Sequence, residues 1–167
     1  MLCVISPAKR LDEKPKALPD EVALTEPDFL AETWRLVQLA RELSVEDLRG
    51  LMHLSEPLAR LNRDRFAAFQ RRPDHAMAAV QCFAGDTYAG LEAATMEPDS
   101  RRWAMGHLRI LSGLYGLLRP WDAIQPHRLE MGTRLANPRG PDLYAFWGDR
   151  VAKALNRQAA EAGTDIL

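Results

Sequence analysis

The sequence is poor in lysine and cysteine, and it has no long apolar run. Only four lysines accompany eighteen arginines in a chain of 167 residues. Cys3 and Cys82 each lie in an apolar, strand-like run, which favours two reduced core residues over a disulfide. No stretch approaches the roughly 20 apolar residues of a transmembrane helix, and the first apolar run turns polar at Ser6, too early for a signal peptide. We therefore expect a cytoplasmic protein with no membrane partner.

Several catalytic and metal-binding patterns are also missing. The four histidines have no metal-ligand spacing, so we expect no metal site. The sequence contains no Walker loop, no Gly-x-Ser-x-Gly elbow and no cysteine–histidine pair in a recognisable context. We expect no cofactor, and the residues support no catalytic assignment.

Charge is distributed unevenly along the chain. The formal net charge is −1, which excludes an overall field that would attract nucleic acid. Residues 101–150, however, contain eight arginines and four acids, a local net charge of +4, and the other residues together carry −5. Arginine binds phosphates and carboxylates through a planar fork of N–H donors. An anion site is therefore expected to be local to this segment, although a solvated helix face produces the same clustering.

The first half of the chain predicts one strand followed by helices. Residues 2–5 predict the strand, and three prolines between residues 9 and 28 predict an irregular loop. Apolar spacing predicts a helix over about residues 28–43. The stretch Ser44-Val-Glu-Asp47 has the spacing of a capping box that opens a short helix, and Ser55 is a candidate cap for the next helix.

The second half predicts a strand over about residues 79–83 and a helix that opens at Gly85-Asp86. Residues 119–142 contain four prolines and are expected to be mostly loop. Apolar spacing predicts a final helix over about residues 142–161. Residues 164–167 resemble a strand that has only begun, which suggests a natural chain longer than this one.

Between these segments, the stretch LSGLYGLLRP at residues 111–120 places two glycines three residues apart in a predicted helix. That helix is expected to begin near Pro98, because leucines recur upstream of the glycines at three- and four-residue spacing. Each glycine costs a helix interior about 1 kcal/mol relative to alanine. We infer that Gly113 and Gly116 leave a bare strip, which is a part of the helix surface without side chains, and that a strand or a ligand approaches it closely.

Four short segments of the sequence occur in a specific order. They read SPAKRLD at 6–12, GDTYAGL at 85–91, LSGLYGLLRPWDAIQPHRLEMG at 111–132 and LYAFWGD at 143–149. In this order they resemble the peroxide stress protein YaaA family over nearly the whole chain. Members of that family continue through a basic C-terminal portion that is absent here. Residues 1–167 are therefore expected to form a single YaaA-like domain that is truncated at its C-terminal end.

The resemblance implies a fold and a function. Family members are cytosolic bacterial DNA-binding proteins with a mixed α/β "cantaloupe" fold, in which several helices surround a sheet, and a helix-hairpin-helix. The family is associated with lowering free iron during peroxide stress. The resemblance therefore implies a protein that binds double-stranded or branched DNA and helps to limit iron-driven oxidative DNA damage.

The helix-hairpin-helix is expected within residues 44–66. The stretch LMHLSEPLA at residues 51–59 follows the spacing of such a hairpin, with His53 and Ser55 where glycines are usual. The second helix would present free N–H groups at its N-terminus to a DNA phosphate, with basic side chains following. The residues expected to contact DNA are Ser55, Arg60, Asn62, Arg63 and Arg65.

A second group of residues is expected to form a positively charged cleft. Lys9 follows the first strand, and α/β sheets commonly bind ligands at the carboxyl ends of their strands. If the bare strip lets its helix press against the sheet, Arg119 comes close to Lys9. Simple tight packing with surface arginines is the alternative. The residues expected to surround an anion are Ser6, Lys9, Gly113, Gly116, Arg119, Arg128 and Glu130.

Three functions are open at this point. The first, preferred on the resemblance, is sequence-independent DNA binding through backbone contacts with a steep salt dependence. The second is an enzyme that acts on a nucleoside, nucleotide or damaged base in the cleft of Lys9, Arg119 and Arg128, with Glu130 as a base or as the partner of an arginine. The third is a protein-interaction module in which the cleft is only structural.

Overall fold

The computed structural model describes residues 1–14 and 16–164, and in that part of the chain the fold is mixed α/β, as predicted. The strands are β1 (Cys3–Ile5), β2 (Arg10–Leu11), β3 (Met77–Ala78), β4 (Phe83–Ala84), β5 (Leu108–Ser112), β6 (Gly116–Leu118) and β7 (Ala123–Ile124). The helices are α1 (Leu30–Arg41), α2 (Val45–Met52), α3 (Glu56–Ala68), α4 (Ala79–Cys82), α5 (Asp86–Leu91), α6 (Pro98–His107), α7 (Leu143–Trp147) and α8 (Arg150–Glu161).

The strands of the described residues form three small sheets. The largest has the order β1-β5-β6, in which β1 runs parallel to β5 with Ile5 opposite Ile110. β6 returns antiparallel, with Leu118 opposite Ile110. The other sheets are the antiparallel pairs β2–β4 and β3–β7. Because β1 and β5 are parallel, their carboxyl ends meet at one edge, where α/β sheets commonly bind ligands.

The helical pair α2–α3 forms as its sequence predicts. The Ser44 hydroxyl accepts the Asp47 N–H at 3.1 Å, and the Asp47 carboxylate accepts the Ser44 N–H at 2.9 Å, which completes the capping box. His53 ends α2 in the left-handed conformation with φ 51°, and the chain turns tightly into α3. α3 packs against both α2 and α1. Two helices with a short turn between them are therefore present where the hairpin was expected.

The core lies between the helices and the three-stranded sheet. Its largest fully buried side chains include Phe66 of α3, Ile110 of β5, Trp121 and Trp147. Complete burial of a side chain such as Phe or Ile contributes roughly 1.5–3 kcal/mol. No helix among the described residues has both the length and the apolar character needed to span a bilayer.

The long helix predicted from Pro98 through the two glycines is wrong. α6 ends at His107, and residues 108–118 form the β5–β6 hairpin with Gly113 in its turn. β5 lies between two neighbours, and all but one of its residues are buried. A central strand buried on both faces lacks the alternation of a half-exposed strand, so leucine spacing alone does not separate it from a helix.

Two further predictions of elements need correction. The strand predicted over residues 79–83 is mostly the single helical turn α4, whose four residues are all buried, and periodicity cannot distinguish so short an apolar run. The final predicted helix is divided into α7 and α8, because Gly148 between them adopts φ 51°. The strand suggested for residues 164–167 lies outside the described residues, apart from Thr164.

Candidate functional site

The two glycines of the β5–β6 hairpin are points of close approach. A Cβ on Gly113 would lie 2.7 Å from the carbonyl carbon of Glu130 and closest of all to the carbonyl oxygen of Leu129. A Cβ on Gly116 would lie 2.7 Å from the Trp147 ring, and Gly116 has φ +74°, a left-handed conformation that favours glycine. Close approach is therefore confirmed, but loop backbone and a tryptophan are what approach.

A cavity of about 290 Å³ opens at the carboxyl edge of β1 and β5. The loop after β1 forms one wall, residues 127–132 form another, and Phe83 adds an aromatic ring. This is the edge at which Lys9 was expected to bind a ligand. The cavity is lined by five of the seven residues predicted for the cleft, which are Ser6, Lys9, Gly113, Arg128 and Glu130.

Two buried polar side chains, Ser112 and His127, form the floor of the cavity. His127 Nδ1 lies 2.9 Å from the carbonyl oxygen of Gln125, which can only accept, so Nδ1 carries the proton and Nε2 the free electron pair. Nε2 faces Ser112 Oγ at 3.5 Å. Burial lowers the pKa of His127 to about 4, so the ring is neutral at pH 7.

This floor is better suited to binding than to nucleophilic chemistry. Ser112 is 1% exposed, and its Oγ accepts a hydrogen bond from the Tyr115 N–H at 3.1 Å. A histidine with a pKa near 4 is a weak general base at pH 7, where an effective base has a pKa near 7. The pair therefore presents hydrogen-bonding atoms to the cavity without activating the serine.

The rim of the cavity is charged. One carboxylate oxygen of Glu130 lies 3.4 Å from Lys9 Nζ and 3.7 Å from a terminal nitrogen of Arg128. The side chains of Lys9 and Glu130 are 67% and 44% exposed, so an anion from solution can take the place of the carboxylate. Arg128 Nε is buried and has no hydrogen-bond partner among the described residues, which leaves one N–H donor unused.

Arg119 and Gly116 do not line the cavity, contrary to the prediction. The Arg119 guanidinium lies 3.3 Å from an Asp28 carboxylate oxygen. The hairpin explains this position, because β6 runs antiparallel to β5 and carries the chain back to the amino end of β5. Lys9 lies beyond the opposite, carboxyl end of the same sheet. Gly116 is covered by the Trp147 ring.

A wider groove of about 700 Å³ continues from the cavity to the turn between α2 and α3. Residues 50–53 line its far end, and Arg134 lines it as well. Arg134 is exposed and forms no ion pair within the part of the chain that the structure describes. The lining holds three cationic side chains and one carboxylate, a formal net charge of +2. The residues shared by cavity and groove are Lys9, Arg128, Glu130 and Gly132.

Asn62 holds α3 against this region and is not available to DNA. Its Nδ2 donates to the Arg128 carbonyl at 2.9 Å, and its Oδ1 accepts the Arg128 N–H at 3.0 Å. The side chain is completely buried. The predicted DNA contact by Asn62 is therefore wrong, because this residue lies on the inner face of its helix. It fixes the backbone of Arg128 at the rim instead.

The arginines of α3 are all paired with carboxylates. Arg60 lies 2.6 Å from a glutamate one turn earlier, and Arg63 lies 3.0 Å from the aspartate that follows it. Arg65 pairs with a glutamate of the loop after β2, and its side chain is only 15% exposed, so it does not share the exposed face of the other two. Ser55 is the exposed N-cap residue of α3, and its side chain makes no capping hydrogen bond.

Sequence reasoning did not assign Ser112, His127 or Arg134 to the site. Ser112 falls in the stretch predicted as helix, where its side chain has no reason to meet residue 127. A polar residue at the end of an apolar run, as in LRILS, is the signal that would have marked it. Arg134 is one of the eight arginines of residues 101–150, and nothing in its neighbours distinguishes it from the others.

Comparison with known proteins agrees with the motifs. A model of the peroxide stress protein YaaA family matches residues 1–167. A UPF0246 protein of Cereibacter sphaeroides is 59% identical over 168 residues, which cover 100% of this chain and 65% of that protein. A UPF0246 protein of Roseobacter denitrificans is 55% identical over 169 residues, which cover 100% of this chain and 64% of that protein. The chain thus spans about 65% of the length of these relatives and belongs to the peroxide stress protein YaaA family.

Proposed function

We propose that this protein binds double-stranded or branched DNA through its phosphates, along the groove that joins the α2–α3 turn to Lys9, Arg128 and Arg134. The charge of the groove is the observation that carries the proposal. Its lining has a formal charge of +2 in a chain whose net charge is −1. A local excess of positive charge attracts a phosphate backbone even where the molecule as a whole does not.

The exposed face of α3 adds weaker contacts. The ion pairs of Arg60 and Arg63 are exposed, and such pairs contribute only about 0–1 kcal/mol, so a phosphate can displace their carboxylate partners. Glu56, however, places a negative charge in the first turn of α3, where a phosphate would approach the helix N-terminus at Ser55. The proposal therefore assigns the larger share of binding to the groove.

Phosphate contacts position a protein on DNA but carry no base information, so binding is proposed to be independent of sequence. The proposed role follows from this binding together with family membership. A protein of the peroxide stress family that lies along the duplex helps to limit iron-driven oxidative damage to the DNA it covers.

Fluorescence anisotropy of a labelled duplex and a four-way junction, titrated over a range of salt concentrations, tests the proposal. The logarithm of the affinity should fall linearly with the logarithm of the salt concentration, by about 0.9 for each phosphate bound. The double substitution Lys9→Ala and Arg134→Ala should weaken binding equally on unrelated sequences. It should also reduce the slope by about 1 for each phosphate that the variant no longer binds.

The matched control is the double substitution Arg35→Ala and Arg102→Ala. These arginines lie on α1 and α6 outside the groove, their side chains are 62% and 67% exposed, and their loss removes the same total charge. The control should retain the affinity and slope of the unaltered protein. An equal loss of affinity in both double variants would mean that binding depends on total charge and not on a specific site. Full binding by the Lys9/Arg134 variant would mean that DNA binds outside the groove.

A further inference from the structure

We propose that the cavity below the groove receives the base of a single nucleotide that has left the DNA stack, with the phosphate of that nucleotide at Lys9 and Arg128. The inference rests on the proposed function and deepens it. The groove holds the DNA backbone, and the cavity holds one base.

The cavity has the size and the walls that a base requires. Its volume of about 290 Å³ is at the lower limit of small-ligand pockets, which extend from about 300 to 1,000 Å³. A flat heterocycle presents two apolar faces, and extruded bases are commonly held between aromatic and apolar side chains. The apolar lining consists of Pro7, Ala8, Phe83, Leu111, Leu129 and Met131.

The floor offers hydrogen bonds to the edge of an uncharged ring. The Ser112 hydroxyl can donate as well as accept, and Nε2 of the neutral His127 is an acceptor. His127 Nδ1 is committed to the Gln125 carbonyl, which fixes the tautomer. The polar edge of a neutral base therefore gains hydrogen-bond partners from Ser112 and His127.

The rim shows where an anionic oxygen is held. A single oxygen of Glu130 lies within 3.7 Å of the cationic groups of both Lys9 and Arg128. A phosphate oxygen in that position would contact the same two cations, and Arg128 Nε, which lacks a partner among residues 1–14 and 16–164, is an additional donor. Because the cavity and the groove share both cations, a phosphate held at the rim is continuous with a backbone that lies in the groove.

Gly132→Val tests the inference without removing a charge. Gly132 borders both the cavity and the groove, and an added Cβ there meets no atom of the described residues within 4 Å, so the new side chain enters the space that they leave open. The matched control is Gly106→Val, at an exposed glycine of α6 where an added Cβ likewise meets nothing within 4 Å in the part of the chain that the structure describes. Three probes are titrated by anisotropy or by competition. They are a paired duplex, the same duplex with one unpaired nucleotide, and adenosine 5′-monophosphate.

The unaltered protein should bind the duplex with an unpaired nucleotide at least about fivefold more tightly than the paired duplex. Gly132→Val should bring the ratio of the two affinities to about 1; the ratio is the readout, because the added side chain also borders the groove and can weaken binding of both duplexes alike. Gly106→Val should keep the ratio and both affinities. If the unaltered protein binds the two duplexes equally, the inference fails and the proposed function stands. If it binds neither, both fail. If the protein binds the monophosphate but shows no preference for the unpaired nucleotide, the cavity takes a free nucleotide. If the preference persists in Gly132→Val, the base binds elsewhere. Either result overturns the inference.

Discussion

At the scale of single residues, the glycines of the chain differ in the room around them. An added Cβ on Gly113 meets the backbone of residues 129–131, and one on Gly116 meets the Trp147 ring, whereas one on Gly106 meets no atom of the described chain within 4 Å. A side chain at Gly113 or Gly116 can be accommodated only if the loop backbone or the buried Trp147 ring moves. This difference predicts opposite effects of the same substitution.

Gly113→Ala and Gly116→Ala should each lower the free energy of unfolding by about 1–3 kcal/mol, because an added methyl group overpacks a filled site. The φ of +74° at Gly116 adds backbone strain. Gly106→Ala, in the exposed α6 helix, should raise the free energy of unfolding by about 0.4–1 kcal/mol. Urea denaturation of the three variants measures these changes. A gain at Gly113 would contradict the close contact with the 129–131 backbone.

Two buried titratable residues have opposite effects on stability as pH changes. Burial raises the pKa of Asp122 from 3.8 to about 6, although hydrogen bonds from the Thr25 hydroxyl and the Arg119 N–H favour its charged form. Stability from Asp122 is therefore present at low pH and is lost as pH rises through 6. Burial lowers the pKa of His127 from 6.5 to about 4, so stability from His127 is lost as pH falls from 6.5 through 4. Between pH 4 and 6 the two trends oppose each other.

Asp122→Asn removes the titration of Asp122, so the pH dependence of stability that comes from His127 should become visible. The amide retains the shape of the carboxylate and can accept the Arg119 N–H while donating to Thr25. As pH is lowered from 6.5 to 4, the variant should lose about 2 kcal/mol more unfolding free energy than the unaltered protein. Urea denaturation at a series of pH values measures this difference. Parallel profiles for the two proteins would contradict a shifted Asp122.

At the scale of elements, α3 is fixed to the rim of the cavity by one side chain. Asn62→Ala leaves the N–H and the carbonyl of Arg128 without their partners, and such a change costs about 1–3 kcal/mol. Arg63→Ala, on the exposed face of the same helix, should change stability by less than about 0.5 kcal/mol. Chemical denaturation compares the two variants. Equal effects would show that the Asn62 hydrogen bonds do not hold the loop.

The elements that the sequence predicts well are those whose signals are local. The capping box at Ser44 and the candidate cap at Ser55 are defined by a few neighbouring residues, so the starts of α2 and α3 were predicted correctly. The β5–β6 hairpin was not predicted, because a strand with neighbours on both sides has the same apolar content as a buried helix. The distinction depends on β1, which is about one hundred residues away in the chain.

Part of the candidate site was likewise predictable from the sequence, and part was not. Lys9, Arg128 and Glu130 were predicted to share one cleft, and they line one cavity. The helix that was expected to press Arg119 against Lys9 is the β5–β6 hairpin, so the predicted cause of this proximity is wrong. The position of Arg119 depends on the direction of β6. β6 runs antiparallel to β5, whereas the predicted helix would have continued in one direction. The burial of Asn62 depends on which face of α3 meets the 127–132 loop. Neither property is visible in local sequence.

At the scale of the whole molecule, the basic segment contributes less free positive charge than its composition suggests. Residues 101–150 carry a net charge of +4, but Arg119 and Arg139 in that segment pair with Asp28 and Glu32 outside it. Only two of the eight arginines in the segment, Arg128 and Arg134, line the groove. DNA affinity is therefore expected to come from few phosphate contacts, and the salt slope should be correspondingly small, at about 0.9 for each phosphate bound.

Site-specific photocrosslinking tests most directly whether DNA lies in the groove. A benzophenone amino acid is placed at Gly50, which lines the groove on α2, and as a control at Gly106 on α6. Both glycines are exposed helical positions where an added Cβ has no neighbour within 4 Å among the residues that the structure describes, so both variants should fold alike. Irradiation with labelled duplex at low salt should give a covalent adduct at residue 50 and little at residue 106. Equal adducts at both positions, or an adduct only at residue 106, would contradict DNA binding along the groove.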